Sequence, residues 1–245
     1  MTLRITIGAS EVAACIGSNP YKTPKEVMDQ LLSKYFPSKG VKTDEEKAKE
    51  LCTSNPLTTD LLDSIKKDAG TVDSTIVTKR VNKVLKQLDL SGEDKKVVTN
   101  FLHSKANTTH GIRREDKTAQ HMIDSGIYTN LVKDDRFHKY TILETDTIHF
   151  SLVGRVDRLD IDKDGTKTLI EIKNRTKKLF GRLKEYEHIQ VQSYLHLLDL
   201  ENAKLIEQYK EEVNVFPITR DKNLWDTFIL PNLVEFCNMV VKESQ

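Results

Sequence analysis

The sequence predicts an α/β protein: a central mixed sheet flanked by helices, with a helical insertion in its first half. Three observations predict it. From Tyr140 onward apolar residues recur at every second position, as on a half-buried strand. Segments on either side have the 3.6-residue period of amphipathic helices. Between them, residues 37–106 are polar, rich in Lys, Asp, Ser and Thr, and only weakly periodic. The whole chain, 1–245, is therefore read as one domain with an insertion at 37–106.

The elements follow in order. Residues 5–36 open with Ile-Thr-Ile-Gly-Ala-Ser-Glu-Val-Ala-Ala-Cys-Ile-Gly, where Ser10 is placed to cap a short helix ending at Gly17. Thr23, Pro24 and Glu26 form a capping box with proline at the first helical position, and Val27, Met28, Leu31, Leu32 and Tyr35 give that helix an apolar stripe. Within the insertion the clearest helix spans about 74–88. The spacing predicts another over about 109–124, with Ile112, Glu115, Ala119 and Met122 on one face and Gly126 ending it. A carboxylate on that apolar stripe needs a reason. Strands are expected over 148–152, 154–161 and 168–173, the last two joined by the turn Asp-Lys-Asp-Gly at 162–165. A basic stretch leads to a helix over about 183–200. A strand follows at 213–218, then a helix over about 222–241 with a bend at Pro231.

Composition bounds the partners. Hydrophobic residues make up 38% and charged residues 31%, which suits a soluble globular protein. The net charge of +1 carries no electrostatic signature, so any polyanion partner must be met by a local basic patch. Cys15, Cys52 and Cys237 form no Cys-x-x-Cys pair, which excludes a disulfide framework and structural zinc or iron–sulfur sites. With no apolar run approaching about 18 residues and no charged-then-apolar leader, the expected location is intracellular and soluble, away from membranes.

The chemistry concentrates in the second half. Alternate strand residues share a face, so Leu169, Glu171 and Lys173 project together, as do Val153, Arg155, Asp157 and Leu159. If the hairpin pairs these strands, Asp157, Glu171 and Lys173 meet at one end of the sheet. Like charges resist that grouping unless a cation resolves it, and carboxylate oxygens suit Mg²⁺. A metal on Asp157, Glu171 and the Ile172 carbonyl, with Glu115 reaching a second ion, would polarise a phosphodiester, and Lys173 would orient or deprotonate the attacking water. Taken singly, each group could be an ordinary solvated strand residue or salt-bridge partner. In the order helix Glu, strand Asp, strand Glu-x-Lys, basic turn and helix, they are far more specific. Lys173, Arg175, Lys177, Lys178, Arg182 and Lys184 form an acid-free run beside the carboxylates and read as a phosphate-backbone track. On the next helix Gln190 and Tyr194 share a face with Glu187, and Gln192 points elsewhere. Asp160, Asp162, Asp164, Gly165 and Glu171 have the spacing of an EF-hand loop, but Lys167 holds its apolar position and the flanks alternate like strands, which argues against it.

Gly111 and Glu115, Asp157, Glu-Ile-Lys at 171–173 and Gln-Val-Gln-Ser-Tyr at 190–194 together resemble the RecB-like branch of the PD-(D/E)XK nucleases, whose core is restriction-endonuclease-like. The opening Gly-Ala-Ser-Glu-Val-Ala-Ala-Cys-Ile-Gly-Ser-Asn-Pro-Tyr-Lys-Thr-Pro (8–24) resembles the YqaJ-type viral recombinases, relatives of the lambda-type exonuclease. The resemblance covers about 5–36 and 108–200. It implies a Mg²⁺-dependent exonuclease (Mn²⁺ a substitute, two ions) that degrades one strand of linear double-stranded DNA from its 5′ end. It leaves 3′ overhangs for a single-strand annealing protein in recombination or repair, and members often form trimeric rings. Carried over by motif, Glu115, Asp157, Glu171 and Lys173 are the catalytic set. Gln190 or Gln192 would support it, with Tyr194 beside them, and Ser10, Asn19, Lys22 and Arg155 lie where the terminal phosphate would be held. Val156 replaces the family's usual proline. A structure-tolerant endonuclease on the same fold and a DNA-binding module without catalysis are the competing readings.

Overall fold

A computed structural model describes residues 2–40, 42–68 and 74–245. Two sheets organise it. Strands β1 (Leu3–Gly8), β4 (Ile148–Gly154) and β3 (His138–Glu144) form a three-stranded sheet in the order β1-β4-β3, with β1 parallel and β3 antiparallel to β4. The second sheet runs β2-β5-β6-β7-β8, built from Leu131–Val132, Arg158–Ile161, Lys167–Asn174, Asn202–Tyr209 and Glu212–Thr219. Its β6–β7 pair is parallel and the other pairs are antiparallel.

Helix α1 (Val12–Cys15) follows a 3-10 turn at Ala9–Glu11, and α2 spans Pro24–Tyr35. Thr23 caps α2 as expected: its hydroxyl accepts from the Glu26 amide, the Glu26 carboxylate accepts from the Thr23 amide, and Pro24 opens the helix. The Ser10 cap does not form. Ser10 lies exposed inside the 3-10 turn, whose N-terminal flank is Gly8 with no side-chain bond. Helices α3 (Asp44–Thr53), α4 (Pro56–Asp68) and α5 (Ser74–Gln87) fill the polar region. The helix expected at 109–124 is the second half of a longer one, α6 (Gly92–Asp124), which starts from a Ser91 cap. Its apolar stripe is shorter than expected, because Ile112 is exposed while Ala119 and Met122 are buried. Helix α7 spans Glu185–Leu198. The last helix begins as α8 (Lys222–Leu224), passes through a π-helical turn at Trp225–Ile229 and continues as α9 (Leu230–Ser244), so the irregularity lies just before Pro231.

The larger sheet separates two apolar clusters. Leu169 of β6, with Ala203 and Leu205 of β7, packs toward Ile189, Val191, Tyr194 and Leu195 of α7. Ile170, Ile172 and Ile206 face the other way, against Ala119 and Met122 of α6 and Tyr128. A third cluster, centred on Ala48, Leu61, Val81, Val98 and Leu102, belongs wholly to α3–α6. Burying one such Leu or Ile side chain contributes about 1.5–3 kcal/mol. None of the helices among the described residues is long and apolar enough to cross a membrane.

Candidate active site

The hairpin forms. Arg158 pairs with Ile170 and Leu159 with Leu169, and the chain reverses through a turn in which the Gly165 amide donates to the Asp162 carbonyl at 3.0 Å, with Gly165 at φ +85°. Strands β5 and β6 flank this loop on both sides, where an EF-hand would have two helices. The expected strand 154–161 is broken, however. Gly154 ends β4 in one sheet and Arg158 starts β5 in the other, leaving 155–157 as a bend between them. A side chain at Gly154 would sit 2.5 Å from the Tyr194 ring, which explains the glycine and places Tyr194 against the end of β4.

Because β5 starts at Arg158, the end of β6 has no strand on that edge. Continuing the ladder would set Asp157 opposite Glu171. Instead the Asp157 side chain turns in, and its Oδ2 accepts from the Ile172 amide at 2.8 Å, replacing a ladder acceptor. In a strand a residue's N–H and C=O point to the same edge, so the Ile172 carbonyl faces this opening too.

Glu171 is buried, and its Oε1 accepts from Lys173 Nζ at 2.7 Å and from Gln190 Nε2 at 2.8 Å. Lys173 also donates to Gln190 Oε1 at 3.0 Å, closing a three-residue ring across β6 and α7. Glu171 Oε2 is buried and has no hydrogen-bond partner. An orphaned carboxylate oxygen is costly unless something cationic meets it. Asp157 is pushed well above the usual carboxylate range, first by burial and then by the Glu171 and Glu115 carboxylates. Glu115 on α6 is raised by burial and then by Glu171. For Lys173, burial is the largest influence and pulls the ammonium down, but Glu171 and Asp157 outweigh it and hold it above the ordinary lysine value. Among the described residues no three His, Cys, Asp or Glu side chains converge closely enough to enclose an ion unaided.

The other predicted residues divide. Gln190 joins the cluster. Gln192 does not: its amide donates to the Thr219 carbonyl and its oxygen accepts from the Asp221 amide, tying α7 to the end of β8. Arg175 is not an open phosphate contact. Its guanidinium forks onto Glu187 at 2.7 and 2.9 Å, donates to Glu207 at 3.0 Å and lies 4.0 Å from the Phe180 ring centroid. Lys22 is likewise held, by Glu11 and Gln30, and Asn19 accepts from the Tyr21 amide in a local turn. Arg155 is half exposed beside Asp135, at 3.9 Å. Lys177, Lys178 and Arg182 remain exposed on the loop after β6.

Four further residues, which no sequence motif marks, shape the site. Arg158 donates to the Asp157 carbonyl at 2.6 Å and pairs with Asp116, fixing the bend that carries Asp157. Its position right after Asp157 was the available signal. Thr118 donates to Asn174 Oδ1 at 2.7 Å, and Asn174 donates to the Gly111 carbonyl at 3.3 Å, docking the Glu115 turn of α6 on the end of β6. Glu207 accepts from the Phe180 and Gly181 amides at 3.0 and 2.8 Å and so shapes the basic loop. It lies on β7, a strand whose sequence does not announce itself.

A model of the PD-(D/E)XK nuclease superfamily matches residues 60–223, which include every member of this cluster. No curated protein matches the chain. Among solved structures, a phage-related exonuclease from Haemophilus somnus 129PT is 13% identical, covering 100% of this chain and 97% of that one at a TM-score of 0.43. An alkaline exonuclease from Laribacter hongkongensis is 15% identical, covering 69% and 81% at a TM-score of 0.42. At these values both are distant likenesses.

Proposed function

Because the chain belongs to the PD-(D/E)XK nuclease superfamily, we propose that it is a Mg²⁺-dependent exonuclease acting on the ends of linear double-stranded DNA. It degrades one strand 5′ to 3′ and leaves 3′ single-stranded overhangs for recombination or repair. The observation that carries this reading is the cluster at the open end of β6. Asp157 and Glu115 are both raised by burial and by the Glu171 carboxylate, Glu171 Oε2 lacks a partner, and the Lys173 ammonium donates to Glu171 Oε1.

Nucleases of this superfamily generally use divalent metals. Asp157, Glu171 and the Ile172 carbonyl would hold a Mg²⁺ or Mn²⁺ ion, with Glu115 turned toward a second. When bound, the metal polarises the scissile phosphate and acidifies its water. The chain's own groups do the rest. Gln190 fixes Glu171 and Lys173 in one orientation. Lys173, hydrogen-bonded to Glu171, orients or deprotonates the attacking water and offsets the charge that develops on phosphate. Tyr194 packs behind the cluster. The cations Lys177, Lys178 and Arg182 take the DNA backbone, and Ser10 and Arg155 lie toward the strand terminus. The YqaJ-type likeness of the N-terminal segment extends the reading to a trimeric ring and a single-strand annealing partner.

The test is digestion of end-labelled linear duplex with Mg²⁺, comparing 5′-phosphate with 5′-hydroxyl ends and including closed circular DNA. The phosphorylated strand should be lost from its 5′ end, the circle should survive, and Lys173→Ala should abolish turnover. Cutting of the circle would point to the endonuclease reading. Duplex binding without any nucleotide release would leave only a binding module.

A further inference from the structure

We propose a second nucleic-acid contact, a basic groove between α5 and the start of α6 that takes the phosphate backbone of the DNA some distance from the cut. This rests on the nuclease reading above. The groove has a volume of about 530 Å³ and is lined by Asn82, Leu85, Lys86, Gly92, Lys95, Lys96 and Thr99. Helix α5 carries Lys79, Arg80, Lys83 and Lys86 and no acidic residue.

Elsewhere in this helical unit cations take the acids within reach: Arg80 pairs with Asp68, Lys47 with Asp94 and Lys105 with Glu45. Lys86, Lys95 and Lys96, which line the groove, have no ion pair among the described residues; of the two acids that follow Gly92, Asp94 is held by Lys47 and Ser91, and Glu93 alone stands against the three lysines. The groove thus keeps a net positive charge on a chain whose own net charge is only +1. Asn82 and Thr99 add uncharged hydrogen-bonding groups, which suits a polyanion held by charge and short polar contacts.

Helix α6 links this groove to the carboxylate cluster. Lys96 and Glu115 lie on the same helix, 19 positions apart in the sequence, hence roughly 28 Å apart at 1.5 Å per residue. A duplex rising 3.4 Å per base pair covers that distance in about eight base pairs. DNA entering the site can therefore follow α6 and lay its backbone in the groove. α6 acts as a rail that fixes the approach of the duplex.

Gly92 supplies a clean test. It lines the groove, a side chain there meets nothing within 4 Å, and its φ is not in the left-handed region. Gly92→Glu places a negative charge in the groove at the first turn of α6, where a carboxylate favours the helix. The fold should be kept while the groove is closed to phosphate. Lys86→Ala/Lys95→Ala/Lys96→Ala is the companion variant.

Binding is read by fluorescence anisotropy in EDTA, on a 5′-phosphorylated duplex of about 24 base pairs and a 5′-phosphorylated hairpin with a stem of about five base pairs, alongside melting temperature. On the long duplex both variants should bind on the order of tenfold more weakly, and the triple variant should lose about two to three units of salt-dependence slope. The short duplex, which cannot span the rail, should bind all proteins alike. Unchanged long-duplex affinity, or an equal loss on both lengths, overturns the groove and leaves the nuclease reading standing. Failure of the unmodified protein to bind the long duplex also overturns the groove, while the nuclease reading is tested apart from it by nucleotide release with Mg²⁺.

Discussion

At the residue scale, the cluster is a set of charges that the free protein holds at a cost. Asp157 and Glu115 are raised by burial and by neighbouring carboxylates, so part of the folding free energy opposes their ionisation. Asp157→Asn keeps an oxygen to accept from the Ile172 amide and removes one negative charge. In EDTA it should raise stability by on the order of 1 kcal/mol, visible as a higher melting temperature. The same substitution should abolish Mn²⁺ binding in titration. A lower melting temperature in EDTA would mean that the aspartate is a structural anchor. Arg175 teaches the converse. It sits in an acid-free basic run, yet Glu187 and Glu207, both distant in sequence, claim its guanidinium. Its neighbours Lys177, Lys178 and Arg182 stay exposed, with no ion pair among the described residues.

The elements show where local pattern suffices. Burial raises the Glu207 carboxyl, but Asn214, the Phe180 and Gly181 amides and Arg175 outweigh it and hold it below the ordinary glutamate value. A depressed carboxyl stabilises the fold above its unfolded pKa, about 4.3, and that contribution is lost as pH falls through the lower folded value. Thermal melting between about pH 3 and 6 should therefore fall steeply on the acid side for the native chain and less steeply for Glu207→Gln. Parallel curves would remove Glu207 from the account. The contact between β4 and α7 offers a steric counterpart. Any side chain at Gly154 meets the buried Tyr194 ring at 2.5 Å, so Gly154→Ala should cost about 1–3 kcal/mol, measured by urea unfolding.

For the whole molecule, α6 is the member common to both parts. Its first half closes the apolar cluster of α3–α5, and its second half covers the Ile170, Ile172 and Ile206 face of the sheet. We read residues 37–106 as a helical insertion grafted through that helix. Leu102 is fully buried in the insertion cluster. Leu102→Ala should cost about 2–5 kcal/mol of local stability. Hydrogen exchange should quicken across α3–α5 and leave β6 and β7 protected. Uniform acceleration through both would show that the two clusters unfold as one unit.

Period and spacing alone determined much of this protein. The alternation of Thr168 to Lys173, the Asp-Lys-Asp-Gly turn, the Thr23 capping box and the helices carrying Glu115 and Gln190 are local patterns, set by backbone geometry over a few residues. They sufficed to bring Asp157, Glu171 and Lys173 to one edge. Strand β1 carries a local signal too, in the alternation of Leu3, Ile5 and Ile7, but it is short and runs straight into the small residues of the following turn. Strand β7 had none: Asn202–Tyr209 is rich in Ala, Lys, Leu, Glu and Gln, which favour helix, and it is a strand because β6 and β8 flank it. Only the tertiary structure could decide between Gln190 and Gln192, commit Arg175 to two buried acids and break the strand at Val156. In each case the deciding partner lies a dozen or more residues away, where no sequence period reaches.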